Sequence, residues 1–203
     1  MIKYEKEIGD KMSLIQEMEL YAKEHNVPIM QKDGVHFLCD FINEHKCTRI
    51  LEIGSAIGYS AICMAMLANN LHITTIERDK VRYQKAVEYV NKSGLSSQIH
   101  IIHGDALDMD IDGMFDLLFI DAAKAQYIKF FEKYEKNVKK NGYIITDNLS
   151  FHGFVENKDL VKSKNLRQLV GKIQRFIDYL QNRADYDTIF LEKGDGIGIS
   201  RKK

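Results

Sequence analysis

Asp121, Lys124, Asp147 and Asn148 are the residues whose types and spacing most directly imply chemistry. Asp121-Ala-Ala-Lys124 follows the apolar run Phe115-Asp-Leu-Leu-Phe-Ile120, and Asp147-Asn148 follows Tyr143-Ile-Ile-Thr146. Both runs read as buried strands. Two carboxylates and an amide would therefore emerge at the carboxyl ends of two strands of one sheet, the edge where open α/β sheets bind ligands. Three hard oxygen donors converging there suit Mg²⁺ or another hard divalent ion. An acid at a strand end also serves as a turn or helix cap. The lysine at a fixed offset and a glycine-rich loop upstream favour the chemical reading.

That loop, Leu51-Glu-Ile-Gly54-Ser-Ala-Ile-Gly58, lies between the first expected strand and its helix. Glycine lets backbone approach a ligand closely, and a helix N-terminus offers free N–H groups to an anion. The Gly-x-x-x-Gly spacing is not that of a dinucleotide phosphate loop, and no Gly-Lys-Ser/Thr follows. A small carboxylate, such as the methionine end of S-adenosylmethionine, fits as well as a phosphate. Glu52, Gly54 and Ser60 are the candidate cofactor residues here, Ser60 as a hydroxyl donor in the first helical turn. Glu77 ends the second strand, where an acid can accept both ribose hydroxyls. After the third strand comes His103-Gly-Asp105-Ala106, in which Asp105, beside Ala106, could accept from an adenine amino group. Each acid alone also reads as an ordinary loop or turn residue. In order after three successive strands, the set describes a nucleoside site.

The elements that must position these residues alternate. Two helices come first, Lys3–His25 and Asp33–Lys46, with Asn26-Val-Pro28 between them and Asp33 as the expected N-cap. Ile8, Met12, Ile15, Met18 and Leu20–Tyr21 give the first helix its spacing. Strands are expected at Arg49–Ile53, His72–Ile76, Gln98–Ile102, Phe115–Ile120 and Tyr143–Asp147. Helices are expected at Tyr59–Ala68, Lys80–Ser93, Gln126–Lys139 and Leu160–Asn182. Asp187–Leu191 and Ile197–Ser200 close the chain around the hairpin turn Lys193-Gly-Asp-Gly196. The pattern predicts an α/β fold: a mainly parallel sheet, helices on both faces, and one antiparallel strand from the terminal hairpin. The helical segment 1–46 could cover the cofactor or a partner surface.

At 203 residues, with a single proline and no long Ser/Gly stretch, the chain reads as one domain over 1–203. Acidic and basic residues balance at 29 each, so no global field recruits nucleic acid or membrane, although a local patch is not excluded. Cys39, Cys47 and Cys63 form no CxxC pair; with no signal peptide, they predict a reducing cytoplasm and no structural zinc. No apolar run approaches the roughly 20 residues that span a bilayer. His103 and His152 stand alone, and no Ser/His/Asp or Cys/His grouping suggests covalent catalysis.

From about residue 26 to 200 the chain resembles the metal-dependent O-methyltransferases, the group that includes catechol and caffeoyl-coenzyme A O-methyltransferases. Leu51-Glu-Ile-Gly-Ser-Ala-Ile-Gly-Tyr-Ser60 matches the family's first motif, and Ile76-Glu77 its ribose-binding acid. Asp121-Ala-Ala-Lys124 and Asp147-Asn148 match its metal site and adjoining lysine, and Gly194-Asp-Gly196 its terminal hairpin. The resemblance implies a Rossmann-like class I methyltransferase with a seven-stranded, mostly parallel sheet, using S-adenosylmethionine with Mg²⁺ or Mn²⁺. It implies that Asp121, Asp147 and Asn148 bind the metal, that Asp121 also lies near the cofactor's methionine part, and that Met30 contacts the cofactor from an N-terminal lid. Relatives are often dimers, so a homodimer is implied by analogy. Within the family, Tyr21-Ala-Lys-Glu-His-Asn-Val-Pro-Ile-Met30 and Ile120-Asp-Ala-Ala-Lys-Ala-Gln-Tyr127 look most like the bacterial tRNA 5-hydroxyuridine methyltransferases, which make 5-methoxyuridine at the wobble position.

The chemistry implied is methyl transfer from a sulfonium to a hydroxyl oxygen. A metal would chelate two adjacent acceptor oxygens and lower the hydroxyl pKa, and Lys124 would take the proton or stabilise the oxyanion. The 5-hydroxyl and 4-carbonyl of 5-hydroxyuracil form such a pair, and so do the hydroxyls of a catechol. Glu156–Arg183 carries seven basic residues against three acids. Lys158, Lys162, Lys164 and Arg167 there could land a tRNA backbone, or could form an ordinary solvated helix face. Phe151, His152 and Phe154 could stack on a flipped base or line a phenol pocket.

Overall fold

The structure is a computed structural model that describes residues 2–150, 153, 155 and 163–203, with side chains in the first helix from residue 13 onward. Its centre is a seven-stranded sheet of β1 (Arg49–Ile53), β2 (His72–Glu77), β3 (Ile99–His103), β4 (Phe115–Ile120), β5 (Val138–Thr146), β6 (Tyr186–Leu191) and β7 (Ile197–Lys202). The strand order is β3-β2-β1-β4-β5-β7-β6. Strands β1 to β5 pair in parallel, and β7 runs antiparallel to both β5 and β6. The Rossmann-like, mostly parallel sheet and its antiparallel hairpin strand are as the sequence implies.

Alternate strand residues feed two cores, because helices cover both faces of the sheet. On one side Ile50, Ile73, Leu117, Phe119 and Ile145 pack with α1 (Ile2–Glu24), α2 (Lys32–Glu44), α3 (Tyr59–Ala65) and α4 (Lys80–Ser93). On the other, Leu51, Ile53, Leu118, Ile120 and Ile144 pack with α5 (Tyr127–Tyr134) and α6 (Lys164–Gln181). Leu14, Met18 and Ala22 of α1 and Val35, Leu38 and Ile42 of α2 are buried, so both N-terminal helices belong to the first core. Leu20, expected on the apolar face of α1, is 61% exposed; Ile8 and Met12 lie outside the described side chains.

Several boundaries move for identifiable reasons. Asp33 is not the N-cap of α2; Gln31 holds that position, and Asp33 sits in the first turn, where its charge suits the helix dipole. The cap of α4 is Asp79, whose carboxylate accepts from the Arg82 N–H at 2.9 Å. The helix expected over Gln126–Lys139 ends at Tyr134. After one 3-10 turn, Asn137 donates its side-chain amide to the carbonyls of Ile111 (2.7 Å) and Gly113 (3.1 Å), and β5 begins at the next residue. Beside it, the β4–β5 pairing shifts register between Phe115 and Leu117. A side chain at Gly142 would lie 2.9 Å from the Lys139 carbonyl and 3.0 Å from that of Asp116. Glycine there hides the strand's first half from a search for apolar runs.

Strand order reverses at β1, whose crossover leads outward to β2 on one side while β4 flanks it on the other. This is the switch point at which an open α/β sheet leaves a crevice. Gly54 and Asp121 sit at the two strand ends that form it.

Candidate active site

A cavity of about 460 Å³ opens over the carboxyl ends of the central strands. Gly54, Ser55 and Ala56 form one wall, Glu77 and Asp105 the next, and Asp121, Lys124, Asn148 and Asp195 the opposite end. Met30 closes it from the connection between α1 and α2. Gly54, Ser60, Ala106 and both groups of acids are thus brought to one space from six separate stretches of chain.

The first wall depends on close backbone packing. The Gly54 N–H continues the sheet ladder by donating to the Ile76 carbonyl at 2.9 Å. Its φ is +99°, and a β-carbon there would fall 2.2 Å from the Asp121 carbonyl oxygen. Glu77 is held from both sides, its carboxylate accepting from the N–H groups of Ala56 (2.8 Å) and Asp79 (2.7 Å). That fixes its oxygens at the cavity edge with lone pairs left for hydroxyl donors. Asp105 accepts from the Leu107 N–H at 2.9 Å and pairs with Arg78 at 3.4 Å.

Glu52 lies behind this wall instead of lining it. It is fully buried and accepts from the hydroxyls of Ser60 and Thr75, each at 2.5 Å. Burial pushes its carboxyl up to about 7, against the pull of those two hydrogen bonds. Its direct contact is with Ser60, which does line the cavity.

At the other end, the Asp121 N–H donates to the Ile53 carbonyl at 3.0 Å and the Asp147 N–H to the Ile120 carbonyl at 3.3 Å, so both acids extend the parallel ladder. Asn148 is left-handed at φ +63°, a conformation asparagine tolerates better than most residues. Its N–H donates to the Asp147 carboxylate at 2.7 Å, and its side-chain oxygen accepts from the Lys124 ammonium. The buried Tyr127 hydroxyl holds the Asp147 carbonyl at 2.9 Å. Burial, countered by Lys124, pushes the Asp121 carboxyl up to about 6. Burial and the charge of Asp121 push Asp147 up to about 7. Burial lowers the Lys124 ammonium despite three acids around it. Lys124 offsets one charge of the two desolvated carboxylates, and the second negative charge is costly to leave uncompensated. With the Asn148 amide oxygen the two carboxylates form an all-oxygen donor set that fits a hard divalent ion.

Lys164 and Arg167 are exposed on the first turns of α6, behind the Ser163 N-cap. Lys158, Lys162, Phe151, His152 and Phe154 lie outside the described residues. Among the described residues, no helix is long and apolar enough to cross a membrane.

The family model for O-methyltransferases matches residues 5–203. The chain belongs to the O-methyltransferase family. An Arabidopsis thaliana protein provisionally named a caffeoyl-CoA O-methyltransferase is 31% identical over 185 residues, covering 88% of this chain and 78% of the relative. A Staphylococcus aureus crystal structure with the same provisional name matches at a TM-score of 0.89 and 38% identity, over 93% of this chain and 92% of that one. An O-methyltransferase from Bacillus cereus, solved in complex with SAH, matches at 0.81 and 25% identity, over 94% and 91% of the two chains.

In this O-methyltransferase, Asp195 is a site residue that reasoning from sequence misses. It is 7% exposed, lines the cavity, and lies close enough to bear on the charges of Lys124 and Asp147. The signal was the glycine on its far side: a β-carbon at Gly196 would sit 2.5 Å from the Ser150 nitrogen. Gly194-Asp-Gly196 was legible as a turn, but not as a turn pressed against the chain that leaves the metal-type residues.

Proposed function

We propose that this O-methyltransferase uses S-adenosylmethionine and a divalent metal, Mg²⁺ or Mn²⁺, to methylate 5-hydroxyuridine at the wobble position of tRNA. The observation that carries the chemistry is the meeting of the Gly54 wall with Asp121, Lys124 and Asn148 in one cavity, with the buried Asp147 carboxylate directly behind, bonded to the Asn148 N–H. The cofactor reading draws on the SAH held by the Bacillus cereus relative. S-adenosylmethionine supplies the methyl group as a sulfonium. A divalent ion held by Asp121, Asp147 and Asn148 supplies Lewis acidity that makes a bound hydroxyl more acidic.

The chain's own residues do the rest. Glu77, locked by two N–H donors, is the acceptor for ribose hydroxyls. Gly54 lets the two strand ends that frame the cavity meet at Asp121, and Glu52 holds the Ser60 hydroxyl at the cavity wall, where a methionine carboxylate can take it. Met30, which lines the cavity, contacts the cofactor from the connection between α1 and α2. Lys124, its ammonium form disfavoured by burial, takes the acceptor's proton or stabilises the oxyanion as the carbon–sulfur bond breaks and the oxygen–carbon bond forms.

Support for tRNA comes from the two strings that resemble the 5-hydroxyuridine enzymes and from the exposed Lys164 and Arg167. A second reading, a small catechol or phenol, draws on a relative named as a catechol O-methyltransferase. Mass analysis of tRNA nucleosides from cells with and without the gene separates the two. Loss of 5-methoxyuridine with gain of 5-hydroxyuridine is the expected result; an unchanged profile rejects the tRNA acceptor.

A further inference from the structure

A second cavity, of about 370 Å³, adjoins the first, and Lys124 and Gln126 line both. It lies between the start of α5 and the middle of α6. Lys129, Lys172 and Arg175 rim it, with Glu132 the one acid among the described residues that line it. All three cations are exposed, and none has an ion pair or hydrogen bond with another described residue. Lys172 and Arg175 are one turn apart on α6, a spacing at which like charges repel. In a chain whose charges balance at 29 of each sign, three cations against one acid around one depression are a local excess of positive charge. They form an electrostatic footprint for an anion.

The junction between the two cavities adds an independent requirement. The side-chain oxygen of Gln126 is buried there with no hydrogen-bond partner among the described residues. A buried acceptor left open costs about 1–3 kcal/mol, and a ligand that brings an N–H or O–H to it removes that cost. A molecule running from Lys124 past Gln126 would therefore carry a donor near its reacting hydroxyl and a negative charge beyond it.

We propose that this groove is a phosphate site for the methyl acceptor: Lys129, Lys172 and Arg175 hold a phosphate while the reacting hydroxyl lies at Lys124. The inference rests on the reading of the Lys124 cavity as the methyl-transfer site. A tRNA backbone and the nucleotide tail of an acyl-coenzyme A both present such a phosphate, and an unadorned catechol does not. Arg175 and Lys172 grip it as charge-assisted donors.

The test is a Lys129→Gln, Lys172→Gln, Arg175→Gln triple variant. Methyl transfer is followed at several salt concentrations with 5-hydroxyuridine-bearing tRNA, caffeoyl-CoA and catechol, and SAH binding checks the fold. KM for the phosphate-bearing acceptor that the wild type uses rises at least about tenfold, while kcat and the catechol KM stay within about twofold. With tRNA, the slope of log KM against log salt falls by about 1, as expected for one lost phosphate contact. The same KM change with caffeoyl-CoA in an enzyme inactive on tRNA supports the groove and rejects the tRNA acceptor. An unchanged KM on every phosphate-bearing acceptor, or a wild type that methylates catechol alone, overturns the phosphate site. If the triple variant loses SAH binding, Lys172→Gln and Arg175→Gln singly carry the same reading, each raising KM about two- to fourfold.

Discussion

Gly54→Ala tests the packing on which the site is built. The added β-carbon would meet the Asp121 carbonyl oxygen at 2.2 Å, more than 1 Å inside the ~3.3 Å at which a carbon and a carbonyl oxygen normally touch. The obstacle is backbone, so no rotamer change relieves it. Overpacking of this kind costs about 1–3 kcal/mol. Holding alanine at a φ of +99° costs about 1–2 kcal/mol more. The sum is about 3 kcal/mol, or roughly 10 °C of melting temperature for a chain of this size. Gly94→Ala is the internal control. Gly94 also has a positive φ, +71°, but a β-carbon there meets nothing within 4 Å, so only the conformational part, about 1 kcal/mol, applies. Thermal unfolding of both variants and calorimetric SAH binding read the difference. Gly54→Ala should melt several degrees below Gly94→Ala and bind SAH at least tenfold more weakly, because the strand ends that frame the cavity are forced apart. Equal melting temperatures for the two variants would refute the close approach of Gly54 to Asp121.

Two further predictions use pH. Burial raises Asp116, but hydrogen bonds from Lys139, the Thr48 and Arg49 N–H groups and the Thr48 hydroxyl prevail and hold its carboxyl at about 2. A folded pKa below the unfolded one stabilises above about pH 4 and is lost as pH falls toward 2. The stability gap between wild type and Asp116→Asn should be about 2 kcal/mol at neutral pH and close between pH 4 and 2 in acid-unfolding curves. Glu52 has the opposite sign: raised to about 7, it destabilises above that pH and ceases to do so below its ordinary value near 4.5. In denaturant titrations, Glu52→Gln should gain about 3 kcal/mol over wild type at pH 8 and almost nothing at pH 4.5. A gap that does not vary with pH would show that Glu52 is not held protonated.

What was legible follows from how local each signal is. Asp121, Asp147 and Asn148 were readable because apolar runs such as Phe115–Ile120 point to a sheet edge without knowledge of the partner strand. Glu77 and Asp105 followed from order alone. The early half of β5 was hidden because Asn141-Gly142 looks like a turn, and because Tyr134 to Asn137 continues a helical pattern that the Asn137 side chain ends through a distant carbonyl. Glu52 looked like a cofactor contact because the motif gives its place in the chain but not the direction of its side chain. Asp195 and the groove at Lys172 needed tertiary structure, since turn and helix-face residues carry no mark of what they pack beside.

The central claim is that methyl transfer needs a metal held by Asp121, Asp147 and Asn148. The measurement is turnover by purified wild type and Asp147→Ala, each stripped with a chelator and then given Mg²⁺, with SAH affinity measured alongside. Wild type should lose at least about 100-fold on stripping and recover it with Mg²⁺, several kcal/mol of Lewis-acid assistance being at stake. Asp147→Ala should stay inactive in both states while binding SAH within a few-fold of wild type. A stripped wild type that keeps its full rate, or an Asp147→Ala variant that matches it, would contradict the account.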